Sequence, residues 1–425
     1  MASLTVPKIT HPFDVQVTLP GSKSIALRQL AIAALTNEPT RLKGLPECDD
    51  TAAMLDCLSH LGVTIQGSHD DLVLHGPMNL TDDVILDARM SGASARLLIG
   101  LAALRSGSTT IDGHASLQAR TNQPLFDTLL SLGLKIDSAD HGGLPVTLRG
   151  PMAINGPICI DGSLSSQYIT ALLIAIPHIH EDIQINISGR LVSRPYIDIT
   201  LSEMKKRGIE AAWLDDTSLV VHGAPYAGGS FTVEGDATAA TYFAGLATLH
   251  GSSVALTNLG AMSRQGDYRF FEIMQHLGAS VFRDPSTTKI KGPTNIKPLG
   301  TLDMTEMPDA ALTLIAMTPM LPGRSTLTGL SSLHHKECDR LDCPARELSQ
   351  MGVELSTTDD SITVQYKDPD GLGAHHLSTY HDHRMAMAFS LLGSCTGTLT
   401  VDSERVVDKT YPAYWDDYRT LITSA

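Results

Sequence analysis

Several helices predicted from this sequence begin with a short polar turn that carries cationic side chains. Lys23 and Arg28 stand at the first such start, Arg96 at another, and His383 with Arg384 at the last. A helix N-terminus already offers unpaired backbone N–H groups and about half a positive charge. Cations are disfavoured there unless an anion binds between them. Each residue alone is also explained by a side chain that extends into solvent, but together they predict a ligand with several negative charges.

The densest group of ionisable residues lies in HHKECDRLDCPARELSQMG, residues 334–352. Lys336 and Arg340 are four residues apart, so on a helix they would share a face and repel each other. An anion bound between them would make the pair favourable. Glu337 stands beside Lys336 and is a candidate acid or base. An ordinary charged surface helix, neutralised by Glu337 and Asp339, is the alternative that this segment leaves open.

The elements that must position these residues are repeated along the chain. Six stretches run from a polar turn straight into an apolar helix, namely LPGSKSIALRQLAIAAL (19–35), ARMSGASARLLIGLAAL (88–104), DGSLSSQYITALLIAI (161–176), VEGDATAATYFAGLATL (233–249), MTEMPDAALTLIAM (304–317) and TYHDHRMAMAFSLLG (379–393). A second marker, a residue followed by glycine at 61–62, 132–133, 207–208, 277–278 and 351–352, keeps the same period. Glycine there suits the left-handed end of a second helix. Such self-similarity indicates repeated structural units.

Each copy reads as strand, polar turn, apolar helix, a β-rich stretch, a second amphipathic helix and further strand. That order predicts α/β layers rather than a helical solenoid. At 425 residues the chain is long for one core, so two domains are expected. We predict one lobe over 21–228 with copies one to three, and a second lobe from 1–20 and 229–425 with copies four to six. The Gly-rich stretch at 227–230 marks the crossing, and a cleft between the lobes is the expected active site.

Composition excludes several other classes. The net charge is −15 and no Lys/Arg-rich run occurs, which argues against a nucleic-acid surface. No apolar run reaches the roughly 20 residues of a membrane span. The N-terminus resembles neither a secretory signal nor a transit peptide, so a cytoplasmic protein is expected. The six cysteines include no CxxC pair, and the histidines of the last third match no regular zinc spacing, so no metal is predicted.

Eight motifs carry a resemblance to a known family. They are LPGSKS, SLSSQYITALL, SRPYIDITL, VEGDATAATYF, MPDAALT, HKECDRL, TYHDHRMAMAFSL and KTYP. In this order, over nearly the whole chain, the sequence resembles the enolpyruvyl transferase family, and within it the members that act on shikimate 3-phosphate. The resemblance implies an α/β (α+β) fold of two lobes, each built from three βαβαββ units around a pseudo-threefold axis.

The resemblance also implies a reaction. The enolpyruvyl group of phosphoenolpyruvate is transferred to the 5-hydroxyl of shikimate 3-phosphate, and inorganic phosphate is released after addition and elimination through a tetrahedral adduct. This step belongs to the shikimate route to chorismate and aromatic amino acids. The resemblance therefore predicts two small-molecule substrates, no cofactor, no nucleic-acid or membrane partner, and a monomer.

Residues at the family's motif positions are expected to bind the substrates. For shikimate 3-phosphate they are Lys23, Ser24, Arg28, Ser165, Ser166, Gln167, Ser193, Tyr196, Asp309, Ser332 and Lys336. For phosphoenolpyruvate they are Lys23, Gly92, Arg120, Gln167, Arg340, Arg384 and Lys409. Arginine suits this task because its planar guanidinium binds carboxylate and phosphate oxygens in pairs.

Three residues are candidates for proton transfer. Asp309 matches the base that takes the 5-hydroxyl proton, although capping of a helix would also explain it. Glu337 matches the donor to the methylene carbon, with Lys23 as a competitor. Asp236 matches an active-site carboxylate of the family and is equally well explained as a helix cap, and His383 is expected to have a structural role.

The sequence departs from the family pattern near the candidate residues. Met90 and Ser91 precede Gly92, and Ala93 takes the usual position of a threonine. Thr121 replaces a proline after Arg120, which predicts a looser loop. Ser332 replaces an asparagine, and its shorter hydroxyl is expected to reach the substrate phosphate through water.

Two other functions compete with this interpretation. The sister enzyme that transfers enolpyruvyl to UDP-N-acetylglucosamine has a reactive cysteine ahead of the Arg120 position, and residues 112–120 contain none. A non-enzymatic repeat scaffold would bind protein partners over a broad surface. The scaffold does not explain why ionisable residues gather at helix starts.

Overall fold

The computed structural model describes residues 2–179 and 181–423. They form two compact units, one comprising Gly21–Glu234 and the other Met1–Pro20 with Gly235–Ala425. Each unit has its own hydrophobic core, built from residues 25–233 in the first and from 6–19 with 237–421 in the second. No helix of the described residues is both long and apolar enough to cross a membrane.

The α-helices of the described residues are numbered in chain order. They are α1 (Lys23–Ala33), α2 (Asp49–His60), α3 (Gly92–Ala102), α4 (Ala115–Gln118), α5 (Gln123–Ser131), α6 (Ser166–Ala175), α7 (Arg194–Lys206), α8 (Ala237–Leu249), α9 (Phe270–His276), α10 (Pro308–Met317), α11 (Asp342–Gln350), α12 (His383–Thr396) and α13 (Tyr414–Thr423). Short 3₁₀ turns occur at Asp140–Gly142, Ile176–Ile179, Gly266–Arg269, Thr318–Met320, Ser331–His335, Pro369–Gly371 and Glu404–Lys409.

The strands of the described residues are short and are also numbered in chain order. They are β1 (Leu4–Thr5), β2 (Asp14–Val17), β3 (Thr40–Lys43), β4 (Thr64–Ser68), β5 (Asp71–His75), β6 (Val84–Asp87), β7 (Thr109–Asp112), β8 (Lys135–Ala139), β9 (Gly143–Arg149), β10 (Ile158–Asp161), β11 (Ile183–Ser188), β12 (Ala211–Trp213), β13 (Ser218–Val221), β14 (Gly229–Thr232), β15 (Ser253–Leu256), β16 (Ser280–Arg283), β17 (Thr288–Lys291), β18 (Gly300–Asp303), β19 (Arg324–Thr328), β20 (Leu355–Thr358), β21 (Ser361–Gln365), β22 (His375–Leu377) and β23 (Leu399–Val401).

One sheet pattern recurs through both units. In the second copy β6 and β7 are parallel, β7 is antiparallel to β9, and β9 is antiparallel to β8, so the order is β6-β7-β9-β8. The same order recurs as β10-β11-β13-β12 and as β18-β19-β21-β20. With the two helices of each copy this is the predicted βαβαββ unit.

Two copies obtain their first strand from elsewhere in the chain. Strand β14, just before α8, pairs in parallel with β3 and completes the sheet of the first copy. Strand β2, just before α1, pairs in parallel with β15 and completes the sheet of the fourth copy. Residues 229–234, which the sequence analysis assigns to the second lobe, therefore belong to the unit Gly21–Glu234. The backbone hydrogen bonds of β14 decide this, and composition does not reveal them.

The sixth copy is the exception among the described sheets. It has three strands in the order β1-β23-β22, in which β22 and β23 are parallel and β1 is antiparallel to β23. The N-terminal strand β1 thus pairs with β23, which lies near the C-terminal end of the sequence. The helix α13 follows β23, where the other copies have a final hairpin.

The glycine marker has the predicted conformation in every copy where it occurs. All five glycines, Gly62, Gly133, Gly208, Gly278 and Gly352, have a positive φ, between 81° and 107°. A residue with a Cβ atom is strained there, so glycine ends these helices at little cost.

The first helix of each copy is buried on all sides, because it is apolar all round. Every residue of α8 from Ala237 to Thr248 is buried, and in α1 the same holds from Ile25 to Ala33. In one unit α1, α3 and α6 contact one another, and in the other α8, α10 and α12 do so. The polar turns at their N-termini are consequently held by rigid, packed helices.

Gly100 permits a close contact between α3 and α6. A Cβ atom at Gly100 of α3 would lie 2.5 Å from the carbonyl oxygen of Ala171 in α6. We expect Gly100→Ala to lower the free energy of unfolding by about 1–3 kcal/mol, because backbone cannot move aside as a side chain can. Urea denaturation measures this. Gly373→Ala is the matched control, since nothing lies within 4 Å of its added Cβ; an equal loss in both variants would contradict the packing argument.

Candidate active site

In the unit Gly21–Glu234, the start of α1 presents three of the predicted residues. Lys23 and Ser24 open the helix, and Arg28 lies one turn later. The guanidinium of Arg28 donates through Nη1 to the carbonyl of Ser24 at 2.7 Å, so the two residues share a helix face. This agrees with the predicted four-residue spacing.

Arg28 is a buried cation whose hydrogen-bond partners in the described residues are neutral. Only 5% of it is exposed. Its Nε donates to the Thr200 hydroxyl at 2.8 Å and Nη2 to the Tyr196 carbonyl at 3.0 Å. Burial lowers the pKa of Arg28 to about 10, against a smaller raising influence of Tyr196 and Glu203. A desolvated cation with neutral partners is a favourable place for a phosphate oxygen.

Lys23 has a different partner, which sequence analysis missed. Its Nζ lies 2.9 Å from Oδ2 of Asp50, and the Asp50 side chain is only 4% exposed. Asp50 lies in the first turn of α2, whose N-cap is Cys48. The only sequence feature that could have predicted this ion pair is the pair of neighbouring carboxylates, Asp49 and Asp50. Two carboxylates in the first turn of a helix are also explained by the helix dipole alone.

A second group in this unit gathers around Gly92 at the start of α3. A Cβ atom there would overlap Nη1 of Arg96 and come within 2.8 Å of Nη1 of Arg120. Arg96 also donates to the Gln167 side chain at 3.4 Å and to Asn122 at 2.8 Å. Gly92, Arg120 and Gln167 are therefore brought together as predicted, and Arg96 joins them.

The remaining predicted residues of this unit lie at two other helix starts. Ser165 is the N-cap of α6 and accepts from the Gln167 backbone N–H at 3.2 Å, while Ser166 is buried. Ser193 precedes α7 with φ of 57°, in the left-handed region that a serine rarely adopts. Such strain is concentrated at functional sites. Tyr196 contributes its carbonyl to Arg28.

In the unit that contains residues 235–425, Asp309 is surrounded by cations. Its Oδ1 lies 3.1 Å from both the Lys336 amine and Nη1 of Arg340, and its Oδ2 lies 3.4 Å from Nη2 of Arg384. Asp309 is the second residue of α10, and the N-cap is Met307. The alternative that Asp309 caps this helix is thus wrong. Asp236, in contrast, caps α8 by accepting from the Thr238 and Ala239 N–H groups.

Arg340 is the buried cation at the centre of this group. It is 1% exposed and contacts three carboxylates. Its Nε lies 2.7 Å from Oδ2 of Asp382, and its Nη2 lies 2.6 Å from Oε2 of Glu337. Burial disfavours its charge, but the carboxylates of Asp382, Glu337 and Asp309 outweigh burial and raise the pKa of Arg340 further.

Glu337 and Lys409 complete the group. The Lys409 amine lies 3.3 Å from Oε1 of Glu337, and only 7% of the Lys409 side chain is exposed. Ser332, in the 3₁₀ turn Ser331–His335, is partly buried. The segment between this turn and α11 is not helical, so Lys336 and Arg340 do not share a helix face. They meet through Asp309 instead.

The start of α12 is held by a strained turn. Tyr380 and His381 both have positive φ, 52° and 58°. The Tyr380 hydroxyl donates to Oε1 of buried Glu347 at 2.6 Å, and burial together with Glu347 raises the pKa of Tyr380 to about 12. Asp382 then caps α12 by accepting from the Arg384 backbone N–H. His383, the next residue, is fully buried, and its structural role stays a prediction.

Other buried groups also escaped sequence analysis. Asp382 has no exposed surface and bridges Arg340 to the start of α12. It belongs to the DHR motif, in which only His383 and Arg384 were considered as candidates. Asp267 accepts from the Thr238 hydroxyl at 2.5 Å. Burial, and then the charge of Asp309, raises the pKa of Asp267 to about 7. No spacing signal distinguishes Asp267 from a surface aspartate.

Both units thus repeat the βαβαββ unit, the sixth copy without its final hairpin, and the buried first helices present cations and carboxylates at their starts. Sequence comparison agrees with this repeated α/β architecture. The sequence model of the family described as EPSP synthase (3-phosphoshikimate 1-carboxyvinyltransferase) matches residues 7–418. A 3-phosphoshikimate 1-carboxyvinyltransferase of Sulfurovum sp. (strain NBC37-1) is 35% identical over 98% of this chain and 98% of its own. That of Vibrio campbellii is 35% identical over 99% of this chain and 100% of its own.

A solved structure shows the same fold. The EPSP synthase of Acinetobacter baumannii superposes with a TM-score of 0.81 at 23% identity, covering 99% of this chain and 97% of that one. The chain belongs to the EPSP synthase family. The predicted family and enolpyruvyl transferase fold are confirmed.

Proposed function

We propose that this protein transfers the enolpyruvyl group of phosphoenolpyruvate to the 5-hydroxyl of shikimate 3-phosphate, giving 5-enolpyruvylshikimate 3-phosphate and phosphate. The observation that supports this most directly is that buried or half-buried cations stand at the helix starts where the family motifs fall, from half-buried Lys23 and buried Arg28 to buried Arg384. The full-length relatives carry the name of this activity.

The reaction needs two protons delivered, one to carbon and one to the departing phosphate, and two removed. A proton adds to the methylene carbon of phosphoenolpyruvate, and the 5-hydroxyl oxygen bonds to the adjacent carbon while its own proton leaves. From the resulting tetrahedral adduct a methyl proton is removed and the C–O bond to phosphate breaks, which restores the double bond. No electrons are exchanged with an external acceptor, so no redox cofactor is required.

In the unit Gly21–Glu234 we assign the phosphate of shikimate 3-phosphate to the start of α1. Arg28 is desolvated and has neutral partners, so a bound phosphate adds charge pairing without displacing a carboxylate. Lys23, Ser24, Ser165, Ser166, Gln167, Ser193 and Tyr196 remain its other predicted contacts. Gly92, Arg120 and Gln167, joined by Arg96, are assigned to phosphoenolpyruvate, because the absent Cβ lets the guanidinium groups of Arg96 and Arg120 approach the start of α3, where they can pair with phosphate and carboxylate oxygens.

In the other unit, ligand binding has to replace existing ion pairs. Arg340 and Lys409 contact Glu337, and Arg340, Arg384 and Lys336 contact Asp309. A substrate carboxylate or phosphate that takes over Arg340 and Lys409 removes cations from Glu337 and so favours its protonation. Glu337 is then suited to protonate the methylene carbon. Asp309 is the proposed base for the 5-hydroxyl, and Lys23 stays the alternative proton carrier.

We further propose that the enzyme acts as a monomer in the cytoplasm, with these two substrates as its partners. Placement of both substrates between the two units stays a prediction. Size-exclusion chromatography with light scattering tests the monomer: a mass near 45.4 kDa is expected, and a mass of twice that contradicts it.

The function is tested by phosphate release with purified protein. Phosphoenolpyruvate and shikimate 3-phosphate together should release phosphate at a rate that neither substrate alone supports. Mass spectrometry should identify the enolpyruvyl ether as the second product. Release with UDP-N-acetylglucosamine in place of shikimate 3-phosphate would favour the sister activity. No release with either acceptor would leave the repeat scaffold as the better interpretation.

The Lys23–Asp50 pair makes a further prediction. Asp50→Asn removes the charge that holds Lys23, and we expect kcat/KM to fall about ten- to hundredfold, the range for a lost charged hydrogen bond. Steady-state phosphate release measures it. Asp49→Asn is the matched control, because it removes the same charge from the same turn of α2 at an exposed position. Equal losses in the two variants would show that helix charge, and not Lys23 placement, is responsible.

A further inference from the structure

Lys336 and Glu337 lie in a loop formed by residues 334–339, called the 334–339 loop below. Two contacts close the base of this loop. The backbone N–H of Arg340 donates to the carbonyl of Leu333 at 3.1 Å. Beside it, Nδ1 of His334 lies 2.7 Å from Oδ2 of Asp339. Because residues 336–341 lie between a 3₁₀ turn and α11, these contacts at the ends of the segment help to fix its path.

The other ring nitrogen of His334 is also engaged. Its Nε2 lies 3.0 Å from the carbonyl oxygen of Asp359, in the turn between β20 and β21. A carbonyl and a carboxylate can only accept, so this arrangement is fully satisfied when both ring nitrogens carry hydrogen, which is the imidazolium form of His334. Oδ1 of Asp339 in turn accepts from the backbone N–H groups of Leu341 and Asp342 at the start of α11. One ring therefore links a hairpin turn, the loop and a helix.

The charges around His334 are mainly negative. Asp339 and Asp342 offer oxygens that lie, with the ring, within 4.8 Å of one another. From the β20–β21 turn come the Asp359 carbonyl and Asp360, whose carboxylate accepts from the backbone of Gly329 and Ser331. His335, Lys336 and Glu337 follow in the chain. An imidazolium has no lone pair for a metal ion, so an ion pair accounts for this group.

We propose that His334 is a positioning residue: in its doubly protonated form it holds the base of the 334–339 loop and so places Lys336 and Glu337 for the substrates. The proposal rests on the proposed function. The hydrogen bonds of the His334 ring lead to Asp339 and to the Asp359 carbonyl, and neither of these is a proposed substrate residue. It acts through Asp339 and the loop backbone.

The proposal has a defined pH dependence. The hydrogen bond with Asp339 is the main cause that raises the pKa of His334 above its ordinary value, burial opposes it, and Asp359 and Asp342 add to it. A group whose folded pKa is raised stabilises the fold fully below its unfolded pKa of about 6.5. The stabilisation is lost as pH rises through the folded pKa. The KM for shikimate 3-phosphate should therefore be low at acidic pH and rise above the folded pKa.

The protonation state is tested without substrate. NMR titration of the histidine rings in the full-length protein should give His334 a pKa above about 6.5. Asp339→Asn should lower that value, because it removes the charge that holds the proton. A His334 ring that titrates at or below the ordinary value in the unsubstituted protein overturns the proposal. This result does not depend on which reaction the protein catalyses.

The positioning role is tested by the pH dependence of kinetics. In the unsubstituted enzyme the KM for shikimate 3-phosphate should rise about threefold across the His334 titration, as expected for a partly exposed ion pair. His334→Ala should show the raised KM at every pH. His334→Arg keeps the positive charge and the hydrogen-bond donors, so it should show the low KM at every pH. His222→Ala is the control: its ring nitrogen lies 3.0 Å from Asp182 in the other unit, so the pH profile should be unchanged.

Asp267 also titrates near neutrality, but it is present in all variants, so differences between them report His334. Identical profiles in the unsubstituted enzyme and in His334→Ala overturn the positioning role. Absence of any turnover in the unsubstituted enzyme would instead contradict the proposed function, and the NMR titration would still decide the state of His334.

Discussion

Arg340→Met should lower the free energy of unfolding by about 3–5 kcal/mol, the range for breaking a buried ion pair by removing one partner. The loss follows from Asp382, which has no exposed surface and receives two hydrogen bonds from Arg340, at 2.7 and 3.1 Å. Methionine fills much of the volume but leaves that carboxylate buried without its cation. Urea denaturation followed by circular dichroism measures the change.

Two variants separate this effect from a general response to losing an arginine. Arg346→Met, at an exposed position in α11, should change stability by no more than about 0.5 kcal/mol. Combining Arg340→Met with Asp382→Asn should recover part of the loss, because the second change removes the stranded charge. A loss below about 1 kcal/mol in Arg340→Met would mean that water reaches Asp382. Arg340 would then be a binding residue alone.

Asp309→Asn should lower kcat about 10²–10⁴-fold, the contribution typical of a positioned general base. Asparagine keeps the shape of the side chain and can still accept from Lys336 and Arg340, which lie 3.1 Å from Oδ1. It cannot take up a proton from the 5-hydroxyl. KM values should change much less than kcat, and single-turnover phosphate release should show the slow chemical step.

The matched control for Asp309→Asn is Glu272→Gln. Glu272 also stands in the first turn of its helix, α9, but is exposed. Its replacement removes the same favourable dipole interaction and should leave kcat unchanged. If Asp309→Asn keeps kcat within about threefold while Glu337→Gln loses it, the base assignment is wrong and Glu337 carries the essential proton.

The structure also explains why the ionisable residues of the second unit were harder to assign than those of the first. Sequence spacing suggested that Lys336 and Arg340 share a helix face. They are instead joined by Asp309, which is 27 residues earlier than Lys336 in the chain. A contact of that kind depends on how α10 packs beside the 334–339 loop, and no local pattern encodes it.

The sequence alone determined the repeat and its punctuation. Apolar helices after polar turns follow from local periodicity, and the glycines that end the second helices follow from the steric cost of a Cβ at positive φ. The family motifs identified the residues at each helix start. These features depend on neighbours in sequence, so they can be read from it.

Only the tertiary structure decided which strand completes which sheet and which charges are paired. Strands β2 and β14 each precede the first helix of a copy, so local sequence gives them the same role. In the structure β2 pairs with β15 and β14 pairs with β3, because the hydrogen bonds of a β-ladder join residues far apart in the chain. Arg28 and Arg340 are both buried, but the hydrogen-bond partners of Arg28 are neutral, whereas Arg340 contacts three carboxylates. Hydrogen bonds and Coulomb forces act over distance in space, and distance in space is set by packing.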